Sequence, residues 1–437
     1  MSNLPEDLVA SAMALARSAM MSIHAAEPFK AGVTPIPVTG KVFDHAEIGM
    51  AISAALEFWL TAGHHTESFE RSLARKIGVR SAHMCNSGSS ANLIALSSLT
   101  SPSLGDSQLK PGDEVITMAA GFPTTVTPII QNGLVPVFVD AEIGTYSPVV
   151  TEIEAAVSEK TKAIMIAHTL GNPFDIYEIQ AIAKRNNLWL IEDSCDAFGA
   201  TYDNQNVGTF GDLATLSFYP AHHITTGEGG AILTKHARLK PLIESFRDWG
   251  RDCWCMPGCD NTCFKRFDWE FSSLPKGFDH KYTYSHLGYN LKSGDIQAAI
   301  GLAQLEKVDT FIEARRTNWA YLRDLLSDLE DVFILPSSTP LSNPSWFGFA
   351  LTIRQDVAID RKNIIGHLES KKIATRLLFG GNLLRQPAFS DIKMRQMSSL
   401  VSSDLILTNT FWLGIWPGLT RNMLDYVSEE LHNFLGR

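Results

Sequence analysis

Between about residue 65 and residue 240, short apolar runs alternate with segments of helical patterning, and nothing else in the chain constrains its fold as much. The runs are Glu114–Met118, Val135–Val139, Ala163–Ala167, Leu188–Ile191, Thr215–Phe218 and Ala231–Leu233. Several are nearly continuous in apolar residues, as strands covered on both faces must be. Val150–Ser158 and Ile176–Arg185 carry the helical pattern between them. Strand alternating with helix predicts an α/β fold on a mostly parallel sheet. Ahead of it, residues 1–60 read as helices with a loop at Val33–Gly40. A long helix is expected from Ile296 to about Leu326, and the remainder reads as a smaller α+β unit. The expected organisation is a helical arm (1–60), a large domain (61–310) and a small domain (311–437). An irregular insertion at 250–290, rich in Cys, Gly, Pro and aromatics, interrupts the large domain.

Composition removes several classes. The 437 residues are 45% hydrophobic and 19% charged, enough apolar material to offset chain entropy, so a disordered chain is excluded. No apolar run approaches the ~20 residues that span a bilayer. Net charge is −10 with no basic run, which argues against nucleic acid as a partner. Leu8–Ile23 is apolar, but Glu6 and Asp7 precede it where a signal peptide carries positive charge, and Arg17 interrupts it. It reads as an amphipathic first helix, and the expected location is the cytoplasm.

Four segments carry the chemistry. Asn86-Ser-Gly-Ser-Ser-Ala-Asn92 opens a helix with small residues, whose free N–H groups and hydroxyls suit a phosphate; taken alone, the segment reads more readily as a plain serine N-cap. Leu190-Ile-Glu-Asp-Ser-Cys-Asp196 ends a strand in acids at the edge where α/β proteins bind ligands. An aspartate there can pair with a protonated pyridine nitrogen, or simply cap a helix. Ser217-Phe-Tyr-Pro-Ala-His-His-Ile-Thr-Thr-Gly-Glu-Gly-Gly-Ala231 joins two strands through a loop. His286-Leu-Gly-Tyr-Asn-Leu-Lys292 leads into Gln297-Ala-Ala-Ile-Gly301.

In this order, with Pro111-Gly-Asp-Glu-Val-Ile116, the Phe122 turn and Gly208-Thr-Phe-Gly-Asp212, the segments resemble the DegT/StrS sugar aminotransferases. These are fold-type I pyridoxal-phosphate enzymes, and the resemblance runs from about residue 40 to the C-terminus. It implies an aspartate-aminotransferase-like large domain with a smaller α+β C-terminal domain. It implies that Gly88, Ser89 and Ser217 hold the cofactor phosphate, that Asp193 pairs with the pyridine nitrogen and that Phe122 stacks on the ring. It also implies a homodimer in which Asn290 reaches the neighbouring subunit's phosphate.

One departure bears on the reaction. Transaminating members read Ser-Phe-x-x-x-Lys at the third motif, and that lysine binds the cofactor covalently. Here the position is His222, and Lys235 lies beyond the next strand. A histidine forms no Schiff base but serves as a general base near neutral pH. The swap resembles the sugar 3-dehydrases of the family. It implies noncovalent pyridoxamine phosphate and a nucleotide-linked 4-keto-6-deoxy sugar. His222 is then the base that removes a cofactor proton, Asp193 supports the ring, and the C3 hydroxyl is expelled. His223 is the neighbouring candidate, but the spacing favours His222.

Six cysteines are present, and Cys253, Cys255, Cys259 and Cys263 fall within eleven residues. Crowded cysteines in a chain of this size point to metal or redox chemistry rather than disulfides. Four-cysteine zinc is one reading, and an iron–sulfur cluster the other. The iron–sulfur 3-dehydrases carry a cysteine two residues after the pyridine-binding aspartate, which implies a [2Fe-2S] ligand set of Cys195, Cys253, Cys255 and Cys263. Local spacing favours Cys259 in place of Cys195. That subtype implies CDP-4-keto-6-deoxy-D-glucose as substrate, a place in 3,6-dideoxysugar and O-antigen biosynthesis, and electrons from an NAD(P)H-dependent flavin/iron–sulfur reductase. Trp249, Trp254 and Phe264 are expected to shield the cluster. Lys281, His286, Arg376 and Arg385 are candidates for the substrate diphosphate, each equally readable as a surface charge. Two other readings stay open: a glutamate-regenerated 3-dehydrase or aminotransferase-like enzyme with zinc, and a non-catalytic relative that binds sugar nucleotides.

Overall fold

The computed structural model describes residues 5–23, 28–255, 260–271 and 273–437. Its large sheet is built from β1 (Ser81–Cys85), β2 (Glu114–Met118), β3 (Val135–Val139), β4 (Thr161–Ala167), β5 (Trp189–Asp193), β6 (Leu213–Ser217) and β7 (Gly230–Thr234). A smaller sheet uses β8 (Phe333–Ile334), β9 (Gly348–Ile353), β10 (Thr375–Leu377) and β12 (Thr410–Gly414), while β11 (Arg395–Gln396) returns to the large one. The large sheet runs β1-β7-β6-β5-β4-β2-β3-β11. Only β7 is antiparallel to its neighbours; every other pairing is parallel. The small sheet, β8-β9-β12-β10, is antiparallel throughout.

β2, β3, β5 and β7 are buried at every residue, which explains their continuous apolar runs. Helices cover both faces. One is Gly88–Ser98, packed with β2 and β5 through Ile94, Ala95 and Leu96; another is Ile176–Arg185, packed with β4 through Ile179 and Ile182. The expected strands match to within a few residues. β1 was not among the expected strands, because it is only five residues long and two of them, Ser81 and His83, are polar.

The helix Asp295–Leu325 joins the two sheets. Its first half packs Ala298, Val308 and Phe311 against the large sheet, and Leu322 enters the core of the small one. At its N-terminus Asp295, 1% exposed, accepts hydrogen bonds from the backbone N–H of Gly63, His65 and Thr66. It thereby caps the helix His64–Ile77 from 232 positions away in sequence. Among its described residues, the segment 250–290 holds one short turn of 3₁₀ helix, at His280–Tyr282. Among the described residues no helix is long and apolar enough to cross a membrane.

Candidate active site

The carboxyl ends of β1, β2, β4, β5 and β6 open on one edge of the sheet. There lies a cavity of about 1210 Å³, whose walls include Gly88, Ser89, Phe122, Asp193, Ser217 and His222. Sequence reasoning named all six from segments spread over 135 positions, and the fold gathers them. The edge location is the one parallel sheets offer to ligands.

Asp193 is the last residue of β5 and is 5% exposed. One carboxylate oxygen accepts from Asn92 Nδ2 at 2.8 Å and from Thr125 Oγ1 at 2.7 Å. The other accepts the Cys195 N–H at 3.2 Å. Thr215 Oγ1 donates to Asn92 Oδ1 at 2.7 Å and fixes the amide's orientation. A buried carboxylate so held cannot rotate, so its direction is set before any ligand arrives. Behind it, Glu192 is fully buried, accepts N–H bonds from Gly208, Phe210 and Gly211, and pairs with His168 Nε2 at 3.1 Å. The Gly208–Asp212 motif therefore wraps Glu192. At Gly211 a Cβ would come within 2.7 Å of the Leu190 carbonyl, so only glycine fits. Asn92, Thr125, Thr215 and Glu192 were not singled out from sequence, although Asn92 and Glu192 lie inside quoted motifs.

The helix Gly88–Ser98 begins at the cavity wall, capped by the Ser87 hydroxyl on Ser90 N–H. Its first N–H groups have no partner within the helix and point at the cavity end. Ser89 Oγ donates to Thr124 Oγ1 at 3.0 Å. A Cβ on Gly88 would stand 2.5 Å from Ser217 Cβ and 3.1 Å from Cys195 Sγ, so this corner admits only glycine. Phe122 is 49% exposed and meets Phe379 edge to face, with centroids 5.8 Å apart. An anion cradle, an anchored carboxylate and an uncovered aromatic face on one cavity fit a phosphorylated pyridine cofactor.

His222 sits on the opposite wall. Its ring stacks on Phe347 at 5.0 Å, and its side chain is 15% exposed. Nδ1 is buried without a hydrogen-bond partner and lies 3.6 Å from Asp196 Oδ1. Burial, with the Arg315 guanidinium nearby, lowers the imidazole to about 4, against the opposing pull of Asp193. Burial and the Asp193 charge push the Asp196 carboxyl up to about 8. The two groups thus face each other as a neutral imidazole and a protonated acid, not as an ion pair. Arg315, buried, donates to the carbonyls of Ala221 and His222 and holds that loop. His223 bonds the Ser345 carbonyl through Nε2 at 2.8 Å and is not among the residues lining the cavity.

Asn290 lies outside this cavity, exposed, accepting from Lys292 Nζ. Of the diphosphate candidates only Arg376 lines the cavity. Arg385 is paired with Asp404, Lys281 with Asp260, and His286 sits between Ser101 and Ser245.

Cys253, Cys255 and Cys263 are neighbours. Cys255 bonds both other thiols and Thr262; burial raises its thiol, but these bonds win and lower it to about 7. Cys195 lies instead on the cavity wall beside Asp193, where burial and that charge push its thiol well above the ordinary value. No contact joins it to the other three among the described residues, and Cys259 lies outside those residues. His280 Nε2 approaches Cys263 Sγ at 3.5 Å, and Trp254 packs on Trp269 beside it. Phe264 is 83% exposed, at a backbone φ of 55°.

The sequence model of the DegT/DnrJ/EryC1/StrS aminotransferase family matches residues 43–432. Lipopolysaccharide biosynthesis protein RfbH of Salmonella typhimurium is 57% identical over 410 residues, 94% of each chain. The dTDP-4-dehydro-2,6-dideoxy-D-glucose 3-dehydratase of Saccharopolyspora spinosa is 56% identical over 409 residues, 94% of this chain and 88% of that one. Among solved structures, GDP-4-keto-6-deoxy-D-mannose-3-dehydratase from E. coli, with bound hydrated PLP, superposes with a TM-score of 0.82 at 29% identity. That match covers 91% of this chain and 99% of the other.

Proposed function

The chain belongs to the DegT/DnrJ/EryC1/StrS aminotransferase family, and from that premise we propose that it is a sugar 3-dehydratase and not a transaminase. It removes the C3 hydroxyl from a nucleotide-linked 4-keto-6-deoxyhexose, with pyridoxamine phosphate as cofactor. The observation that carries this reading is His222, a neutral, mostly buried imidazole at the position where transaminating members have lysine.

When bound, pyridoxamine phosphate supplies an amine for the sugar's C4 ketone and a ring that accepts electron density. Every other role falls to this chain. Gly88, Ser89 and Ser217 hold the phosphate at the helix start. Asp193, fixed by Asn92 and Thr125, faces the ring nitrogen and keeps it protonated. Phe122 covers one face of the ring. His222 takes the proton from the C4′ carbon; its neutral state leaves a nitrogen lone pair ready to do so. The C3–O bond then breaks and hydroxide leaves as water with one proton.

The product also needs two electrons, and the cysteines are the reason to assign their route. We propose a [2Fe-2S] cluster on Cys195, Cys253, Cys255 and Cys263, reduced from NAD(P)H through a separate flavin/iron–sulfur reductase. Three neighbouring thiols, with Cys255 bonded to the other two, support a metal–sulfur group at this place. The position of Cys195 on the cavity wall supports it as the ligand nearest the cofactor. The same resemblance supports a homodimer completed by Asn290, a cytoplasmic enzyme and a CDP-linked substrate.

The test is turnover. Anaerobically purified protein with iron and sulfide counted is offered the CDP-, dTDP- and GDP-linked 4-keto-6-deoxy sugars, with pyridoxamine phosphate and a reducing system. C3-deoxygenation of one of them, lost in His222→Ala with cofactor binding retained, supports the proposal. Amino transfer from glutamate to C4, or full turnover by His222→Ala, sinks it. Zinc in place of iron sinks the electron route alone.

A further inference from the structure

Five consecutive backbone carbonyls, at residues 343–347, are all taken by side chains from elsewhere in the chain. Arg316 donates to those of Asn343 and Pro344, at 3.3 and 2.9 Å. His223 donates to that of Ser345 at 2.8 Å. Arg315 donates through Nη1 to those of Trp346 and Phe347, at 3.3 and 3.2 Å. Both arginines stand on the helix Asp295–Leu325, and Trp319, one turn further along it, stacks on Trp346 with centroids 4.2 Å apart. The strap's own N–H groups are used as well: Ser345 donates to the Gly171 carbonyl and Phe347 to that of Leu170. A segment bonded at every carbonyl has little of the freedom that a surface loop keeps.

Arg315 reaches two segments at once. While Nη1 holds Trp346 and Phe347, Nη2 donates to the carbonyls of Ala221 and His222, each at 3.4 Å. Phe347 is the ring on which His222 stacks, and both side chains line the cofactor cavity. One guanidinium, 2% exposed, therefore joins the backbone behind the imidazole to the backbone behind the ring that supports it. Arginine's planar fork can serve four acceptors on two segments, whereas a lysine ammonium is a compact point donor. Among the described residues Arg315 forms no ion pair, and the opposite charge that acts on it is that of Asp196. A buried cation costs solvation, and this one takes carbonyls as its hydrogen-bond partners.

We propose that Arg315 is the positioning residue for His222: its guanidinium clamps the loop that carries the imidazole to the strap that carries Phe347, and so fixes the ring at the cavity wall. Arg315 is not among the residues that line the cavity, so it acts through His222 and Phe347 and not on the reacting atoms. A base must stand within hydrogen-bond reach of the proton it takes, and small misplacements are costly. The proposal rests on the reading of His222 as the base, and it adds the part of the fold that holds the base in place.

Arg315→Lys keeps the charge and loses the fork. In the full-length protein it should lower kcat by about tenfold or more, while KM and the affinity for pyridoxamine phosphate stay within about threefold of the parent. A second readout needs no turnover. The stacked Phe347 ring shifts the His222 ring-proton NMR signals, which are assigned by their loss in His222→Asn. Phe347→Leu gives their position without that ring. In Arg315→Lys they should move from the parental position towards the Phe347→Leu one. Arg315→Gln, which keeps amide donors, gives the same two results if the lysine variant fails to fold. Parental kcat, His222 signals that stay at the parental position, or a fall in kcat matched by an equal loss of cofactor affinity overturns the proposal. Full turnover by His222→Ala sinks the assignment of the base alone, and the His222 signals still decide whether Arg315 places that ring.

Discussion

Asp196→Asn separates stability from catalysis in one change. The Asp196 side chain is 14% exposed, and its Oδ2 accepts the Leu170 N–H at 3.3 Å. Leu170 adopts φ 52°, a left-handed conformation that a leucine holds only when the surrounding packing requires it. Burial and the Asp193 charge raise the carboxyl from 3.8 to about 8, outweighing the Leu170 N–H and Arg315. The sign follows directly. Unfolded, the acid ionises near pH 4; folded, it keeps its proton to near pH 8, so stability falls as pH rises through that window and is level above it. At about 1.4 kcal/mol per unit, the penalty near pH 7 has an upper limit of about 4 kcal/mol. Asparagine is neutral throughout and keeps an oxygen for Leu170. Cofactor-free Asp196→Asn should therefore match the parent near pH 4 and exceed it increasingly up to about pH 8, as read by urea unfolding at several pH values. Its kcat should fall about tenfold or more, because the acid facing His222 Nδ1 is gone. A stability gap that does not change with pH, or a variant less stable than the parent near pH 7, refutes the reasoning.

The other expectations concern the same walls. Gly88→Ala places a methyl 2.5 Å from Ser217 Cβ, so cofactor titration should show affinity reduced by roughly tenfold, about 1.4 kcal/mol, with the fold intact by circular dichroism. Thr125→Val removes one donor from a buried carboxylate oxygen and should weaken cofactor binding by about 1–3 kcal/mol, whereas Thr127→Val, whose hydroxyl bonds only a helix carbonyl, should not. With His222 held at about 4 by burial and Arg315, the acid limb of kcat/KM should fall well below the ordinary histidine value of 6.5; a limb at 6.5 would assign the base elsewhere.

What was legible in the sequence follows from what is local. β2, β3 and β5 announced themselves because strands buried on both faces are rich in apolar residues along their length, and Ile176–Arg185 because its buried face recurs at helical spacing. Gly88, Asp193, Ser217 and His222 were found because each sits in a contiguous motif at a strand end. The partners were not legible, because they are set by chain crossings. Arg315 reaches the His222 loop from 93 positions away, and Thr125 reaches Asp193 from 68. No pattern within a window carries those distances. Asp196 stood in plain view inside the quoted segment, but its charge state depends on burial and on Asp193, which only the fold supplies.

That charge state ties the site together. Burial first and the Asp193 charge second raise the Asp196 carboxyl, while on His222 the upward pull of Asp193 is overcome by burial and Arg315. Held by Asn92, Thr125 and the Cys195 N–H, Asp193 has hydrogen bonds but no cation beside it among the described residues. A protonated pyridine nitrogen facing Asp193 would supply that cation. It would then relieve the Asp193 repulsion that, beside burial, keeps the proton on Asp196. Cofactor binding near pH 7 should consequently release protons, in proportion to how far the Asp196 pKa falls. Calorimetry in buffers of different ionisation enthalpy reads that release directly. In Asp196→Asn it should disappear, although the cofactor still binds. If the variant releases as many protons as the parent, then Asp193 does not govern the proton on Asp196.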